Sequence, residues 1–434
     1  MTYMALGRRA PTAETTTAWE GLHVLAGAFL FLAYSQAWIF PLFGDPMPAS
    51  AGAIVRLVYL PAYLGALLLA VTAPNQTFGA SVRQPFLILL LGVVAASVLW
   101  SVAPADTARR TLSIVFTTLG GLVLAARWRW ARLSELLGGC FALLAVISLI
   151  TALVLPRIGI MHDLFPGAWR GTWPEKNALG GNLALGFVVL AAAGVLNPRR
   201  ARLWWCFAAL ALFLVLMSTS KTSLVSLMVG FAALIFVVLA QRGPAFGAVM
   251  VWLAVVGLMA AGGVMLFAAD AVFGVLGKDA TLTGRTRIWD AAMRQIAERP
   301  WTGYGYGAIW DEKGHWGPLA WIVKDADFKP QHAHNAWIEQ WLGTGIFGLA
   351  AFAAFYAQAV LVAALSLFRE RGAVLAIPVI AVYSLMSLTE SVAVTIHDFR
   401  WVLFVVVAVK LAWPDAAADE AAYRPTVRAP SATV

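Results

Sequence analysis

The sequence predicts an all-α membrane protein of about twelve transmembrane helices with one long, partly helical outer loop, and three observations carry that expectation. Hydrophobic residues make up 61% of the 434 positions and charged ones 12%. With a mean hydropathy of +0.78, the apolar surface far exceeds what a soluble core can bury and points to lipid as the solvent. Apolar runs long enough to cross about 30 Å of hydrocarbon recur along most of the chain. A single long polar interruption, residues 269–335, separates the ninth run from the tenth.

The runs lie at about 22–43, 51–73, 84–103, 109–126, 133–155, 177–195, 204–219, 223–241, 244–268, 336–366, 372–392 and 399–413. The resulting organisation is a cytoplasmic N-terminus (1–21), helices one to nine (22–268), a periplasmic loop subdomain (269–335), helices ten to twelve (336–413) and a disordered, Ala/Pro-rich cytoplasmic tail (414–434). The first twenty residues lack an apolar core followed by a small-residue cleavage site, so the first membrane helix is expected to do the targeting.

Orientation follows from the preference of basic residues in short loops for the cytoplasm. With the N-terminus inside, every inside segment carries at least one Arg: Arg8 and Arg9, Arg83, the group Arg127, Arg129 and Arg132, the group Arg199, Arg200 and Arg202, Arg242, and Arg369 with Arg371. The outside turn GDPMPAS at 44–50 has none. The net charge of +9 thus serves topology and anionic headgroups rather than nucleic acid. Cys140 and Cys206 sit in apolar runs and imply neither a disulfide framework nor a Cys-based metal site.

A second set of basic residues falls outside, against the topological preference: Arg157, Arg170, Lys176, Lys221 and eight in 269–335. The loop's eight Lys and Arg are matched by eight Asp and Glu, as in a folded subdomain of short helices. Thr283 to Glu298 reads as one such helix, with Ile288, Ala292 and Ile296 on its apolar face. Arg299 and Pro300 end it, and Gly303, Gly305 and Gly307 are expected to form a tight, backbone-exposed turn.

Four polar constellations could carry chemistry. RGTWPEKNALG (170–180) sets Arg170, Lys176 and Asn177 at a helix entry, where free N–H groups favour an anion. STSKTS (218–223) flanks Lys221 with hydroxyls. TGRTRIW offers Arg285 and Arg287, guanidinium being a bidentate partner for phosphate, with Arg285 favoured for ligand; Asp290 and Glu298 supply a plain salt-bridge alternative. HAHNAWIE (332–339) supplies His332, His334 and Asn335, and imidazole is suited to taking a proton near neutral pH. A metal is not expected: on a helix two histidines at i, i+2 diverge by roughly 200°, and no carboxylate stands at familiar spacing. His23, His162, His315 and His397 read as structural. No nucleotide fingerprint, Ser-His-Asp order or paired loop carboxylates are evident. The site therefore reads as cations plus one base.

RGTWPEKNALG, STSKTS, TGRTRIW, RPWTGYGYG and HAHNAWIEQWLGTGIFGL resemble, in order and across Arg170 to Leu349, the bacterial O-antigen ligase and polymerase superfamily. The resemblance implies a GT-C-like fold in the inner membrane with its active site facing the periplasm. It further implies metal-independent, inverting glycosyl transfer from an undecaprenyl-pyrophosphate-linked glycan, with no cofactor and no nucleotide. In the ligase branch, ranked first, the acceptor is the lipid A–core oligosaccharide of lipopolysaccharide. A polymerase or exopolysaccharide relative is the alternative, then protein glycosylation. Carried over by motif, His334 and Arg285 are the catalytic residues, and Arg170, Lys176, Asn177, Lys221 and Arg287 hold the pyrophosphate. His332 and Asn335 are secondary candidates. A transporter of lipid or solute, using Arg56, Arg109 and Arg110, is the reading from another class; it predicts polar residues at the midplane, whereas here they gather in outer loops.

Overall fold

The computed structural model describes residues 17–48, 51–267, 285–310 and 317–415. Its helices are α1 (Thr17–Ala33), α2 (Ile39–Phe43), α3 (Ala51–Val71), α4 (Pro74–Val82), α5 (Pro85–Ala96), α6 (Pro104–Arg127), α7 (Trp130–Val154), α8 (Pro156–Gly159), α9 (Lys176–Leu196), α10 (Ala201–Met217), α11 (Lys221–Ala240), α12 (Pro244–Phe267), α13 (Arg285–Glu298), α14 (Pro318–Ala326), α15 (Ala336–Ser366), α16 (Ala373–Thr389) and α17 (Phe399–Ala412). Each of the twelve apolar runs falls on one or more of these helices. Among the described residues, eight helices are long and apolar enough to cross a membrane, and a ninth span is α4 with α5 if that pair, bent by 87°, is one broken crossing. The chain is an all-α, multi-pass membrane protein.

The bend has a sequence cause. Pro85 follows Gln84, which cannot stay helical before a proline, and the Gln84 side chain turns inward to donate to Ala408 O at 3.1 Å. The first predicted run is also broken: α1 stops at Ala33, and Gln36 adopts φ +56° before α2 starts.

α9 lies at the centre of the bundle, with nearly all of its length buried. Small residues allow this approach: a Cβ on Gly180 would come within 2.6 Å of Ser223 Oγ. Where lipid surrounds the bundle, such van der Waals packing supplies what the hydrophobic effect cannot.

The turns expected to face outward meet at one end, where Val102 N–H donates to Tyr304 O at 2.9 Å, Trp169 N–H to Met217 O at 3.0 Å and Phe399 N–H to Tyr34 O at 2.9 Å. The basic turns gather at the other, where Arg83 donates to Ala412 O at 2.9 Å. There too Gln241 donates to Leu367 O and Glu370 O, each at 2.9 Å.

α13 is amphipathic as its spacing predicts: Ile288, Ala292 and Ile296 are all buried, and Ala292 and Ile296 pack in one cluster with Ile309, Ile322 and Leu342. Thr283 and Gly284 lie outside the described residues, as do His315, residues 1–16 and the tail beyond 415. The WTGYGYG segment corrects the expectation of a backbone-exposed turn. Gly303 through Tyr306 are buried, because α15 is interrupted at Gly345 (φ +68°) and the turn fills the gap. Tyr304 and Gly305 donate to Leu342 O and Gly343 O at 3.1 and 2.8 Å, and Ile346 donates back to Pro300 O at 2.9 Å. A Cβ on Gly345 would lie 2.1 Å from Trp301 O, and one on Gly305 2.2 Å from Ser101 Oγ. Tyr306 donates its N–H to Ser97 Oγ at 3.1 Å and its hydroxyl to Val394 O at 2.5 Å. This clasp fixes the outer subdomain to the bundle.

Candidate active site

α15 begins where it does because Asn335 caps it, its Oδ1 accepting from the N–H groups of Trp337 and Ile338 at 3.0 and 3.1 Å. The preceding residue, His334, sits at φ +51°. That conformation is costly for a residue with a side chain, so the surroundings must hold it. Glu339, one turn into α15, does much of this. Its Oε2 accepts from Ala333 N–H at 3.0 Å and from Ser391 Oγ at 3.1 Å, and Oε1 accepts from the Trp310 indole. Trp289 of α13 donates to Ala333 O at 2.9 Å. One partly buried carboxylate therefore joins the histidine turn, the 285–335 subdomain and the segment after α16.

That segment starts with Glu390, the residue that closes α16. Glu390 Oε2 lies 3.1 Å from His334 Nδ1, and Oε1 accepts from Arg285 Nη2 at 2.9 Å. The three side chains are 25%, 31% and 17% exposed in the order Glu390, His334, Arg285. Burial alone would raise the Glu390 carboxyl; the hydrogen bond from His334 and the charge of Arg285 outweigh it and hold it down at about 2. An anionic Glu390 selects the tautomer with the proton on Nδ1, leaving the Nε2 lone pair for a substrate proton.

The His332 ring packs 3.9 Å from that of His334, centroid to centroid. Its Nδ1 accepts from the His334 N–H at 3.2 Å, and burial pushes its imidazole down to about 4, so it is neutral at physiological pH. The ground for expecting no metal is thereby overturned. The two histidines lie on a turn rather than a helix, and with Glu390 they bring one ligand atom each within 4.8 Å of one another. A cation placed among them would compete with the Arg285, His334 and backbone hydrogen bonds just described.

A second polar group forms where α9 and α11 start side by side. Ser220 caps α11 and donates its Oγ to Asn177 Oδ1 at 2.8 Å. Lys176 and Lys221, each the first residue of its helix, are near enough for their charges to interact. Lys176 Nζ lies 3.6 Å over the Phe165 ring and 3.5 Å from Thr219 Oγ1. Two helix N-termini and two ammonium groups thus converge, a setting that favours an anion. Glu175, beside Lys176, links the groups: partial desolvation and the like charge of Glu390 raise its carboxyl, while His334 and Arg285 pull it down.

Arg170 and Arg287 join neither group. Arg170 donates to the carbonyls of Ile158 (2.8 Å), Arg157 (3.2 Å) and Pro174 (3.4 Å) and lies over Phe40, holding the loop between α8 and α9 in place. Arg287 is exposed and reaches Asp327 at 3.5 Å. The partners of the two loop arginines are therefore Glu390 and Asp327 rather than the sequence neighbours Asp290 and Glu298. The larger correction concerns the carboxylates: the centre is not cations plus one base, because Glu390 stands in the middle of it. The available signal was a lone carboxylate at the C-terminal end of an apolar helix, 56 residues from the histidine it meets.

Taken together, these features define a class: a polytopic membrane protein with a polar His–carboxylate–guanidinium centre and an anion-favouring group at one end of its bundle. Residues 206–353 match the family model described as O-antigen ligase. The chain is also 30% identical over 273 residues, 58% of its length, to the exopolysaccharide production protein ExoQ of Rhizobium meliloti (strain 1021), and spans 59% of that relative. Over these stretches the chain is similar to the O-antigen ligase superfamily.

Proposed function

We propose that this protein transfers a glycan from a polyprenyl pyrophosphate carrier to a hydroxyl of a second membrane-held carbohydrate, on the periplasmic face of the inner membrane. The observation that carries this reading is the Arg285–Glu390–His334 array beside the paired lysines of α9 and α11. His334 Nε2 takes the acceptor hydroxyl proton, and the oxygen attacks the anomeric carbon from the face opposite the carrier. The bond from that carbon to the phosphate oxygen breaks with its electron pair on the carrier, so configuration inverts. Lys176 and Lys221 face the charge left on the pyrophosphate, and Glu390 stabilises the imidazolium as it forms.

The relative's name reverses the order of the acceptors expected from the sequence: a second lipid-linked glycan, lengthening an exopolysaccharide, now stands first. The family model's description keeps lipid A–core as the second reading. The test supplies the full chain in vesicles with a lipid-linked repeat unit, and lipid A–core in a parallel reaction. A ladder of longer lipid-linked glycans supports chain growth; a lipid A–core conjugate alone supports ligation. Absence of transfer to either acceptor sinks both.

A further inference from the structure

On the side of α13 away from Arg285, a cleft of about 990 Å³ opens between the end of that helix, the clasp and α14. Tyr304, Ala308, Ile309 and Leu319 form its floor and are all buried. Its walls are polar and planar. Arg294, Gln295 and Glu298 come from α13 and Arg299 follows it directly, while α14 brings Asp325 and Trp321, which is 53% exposed. The walls are already organised: Arg294 pairs with Asp325 at 3.0 Å, the Arg299 guanidinium lies 5.1 Å over the Tyr304 ring, and the Tyr304 hydroxyl donates to Gln295 O at 3.0 Å.

An apolar, aromatic floor rimmed by forked donors and carboxylates matches the chemistry of a pyranose, which has apolar C–H faces and a belt of hydroxyls. The two arginines and two carboxylates of the walls balance in charge, which argues against a phosphate, since that would call for an excess of cations. The cleft volume is in the range of binding sites rather than of packing faults. It is also separate from the reacting centre. Ten residues of α13 separate Arg285 from Gln295, about 15 Å along the helix at 1.5 Å per residue. One rigid element therefore carries a residue of the His334 centre at one end and the cleft wall at the other.

We infer that this cleft is a carbohydrate subsite that holds the glycan of a substrate several sugars away from the bond being made. The inference rests on the glycan-transfer reading and specifies where the non-reacting part of the sugar chain is held. Binding there anchors the chain through groups that take no part in chemistry, which is how remote contacts support a reaction step.

The test measures equilibrium binding of an oligosaccharide, released by partial hydrolysis of the source cell's surface polysaccharide and carrying no lipid or pyrophosphate, to the detergent-purified full chain. Wild type and His334→Ala are expected to bind alike, Trp321→Ala to bind at least tenfold more weakly, and Trp321→Phe to recover most of the loss. Monodispersity and the melting temperature check that each variant is folded. Asp325→Asn, which leaves the floor intact, is the second probe and is expected to weaken binding by a smaller factor. Undetectable binding by wild type, or binding that Trp321→Ala and Asp325→Asn leave unchanged, overturns the inference. Loss of binding in His334→Ala also overturns it, by placing the sugar at the reacting centre. Because no donor is present and nothing turns over, a failure of glycan transfer in the vesicle assay leaves this measurement standing, and the converse holds.

Discussion

His334 and His397 occupy the same local structure in opposite surroundings. Each has a left-handed backbone, at φ +51° and +53°, and each immediately precedes the cap of a membrane helix, Asn335 for α15 and Asp398 for α17. His334 turns toward a carboxylate and a guanidinium. His397 turns into an aromatic nest, its ring 3.6 Å from that of Tyr59, with Nε2 bonded to the Tyr63 hydroxyl and burial pushing it down to about 4. The comparison teaches that a histidine before a helix cap is a recurrent way to turn the chain. What sets His334 apart, and suits it to the proposed role of base, is the acid that faces it.

The largest effect expected from this contrast is a double dissociation. His334→Ala should lower transfer by roughly 10²–10⁴-fold, the range for loss of a general base, with little change in melting temperature. His397→Ala should leave transfer per folded molecule within about twofold and lower stability by roughly 0.5–3 kcal/mol, the range for most destabilising single changes, His397 being only partly buried. Transfer assays and thermal melts on the two purified variants decide it, and equal loss of activity in both would remove the distinction. Next in size, Glu390→Gln keeps the shape but lets an amide N–H face His334 Nδ1, favouring the wrong tautomer. Amidating the buried aspartate of a Ser-His-Asp triad costs about 10⁴-fold. Glu390 is 25% exposed, so a loss of about 10²-fold is expected in the same assay; full activity would show that the carboxylate has no part in orienting the base.

The smallest effect is on stability against pH. His332 and His397 titrate at about 4 in the fold against an ordinary 6.5. Between those values the unfolded chain binds protons that the folded chain refuses. Their contribution is therefore complete above pH 6.5 and is lost as pH falls toward 4. Glu390, held at about 2 against 4.5, adds its own loss only below pH 4.5. Melting temperature in detergent should thus begin to fall below pH 6.5, and His397→Phe should flatten that slope. An unchanged slope in the variant would mean that His397 is not the group responsible.

Much of this was legible in the sequence, and what was not has identifiable causes. Apolar runs betray helices because length and hydropathy are local properties, and the face of Ile288, Ala292 and Ile296 followed from spacing alone. Arg285, His332, His334 and Asn335 were all visible as candidates, as were Lys176, Asn177 and Lys221. Glu390 was hidden by its distance from His334 in the chain. The burial of the WTGYGYG turn was hidden because its partner is a break at Gly345, inside a run that reads as one continuous helix. The roles of Asn335 as a cap and of Asn177 as an acceptor for Ser220 depend on which polar atom faces which. Spacing does not encode that.

The clasp sets a rule for anyone who would re-engineer this protein. The outer subdomain is docked by backbone hydrogen bonds to Val102 and to Leu342, Gly343 and Ile346, and a Cβ on Gly305 would meet Ser101 within 2.2 Å. Grafting residues 285–335 from a homologue would therefore import a key without its lock. A functional chimera has to carry 97–103 and 342–346 with the loop, so the exchangeable module is three separate stretches of sequence rather than one.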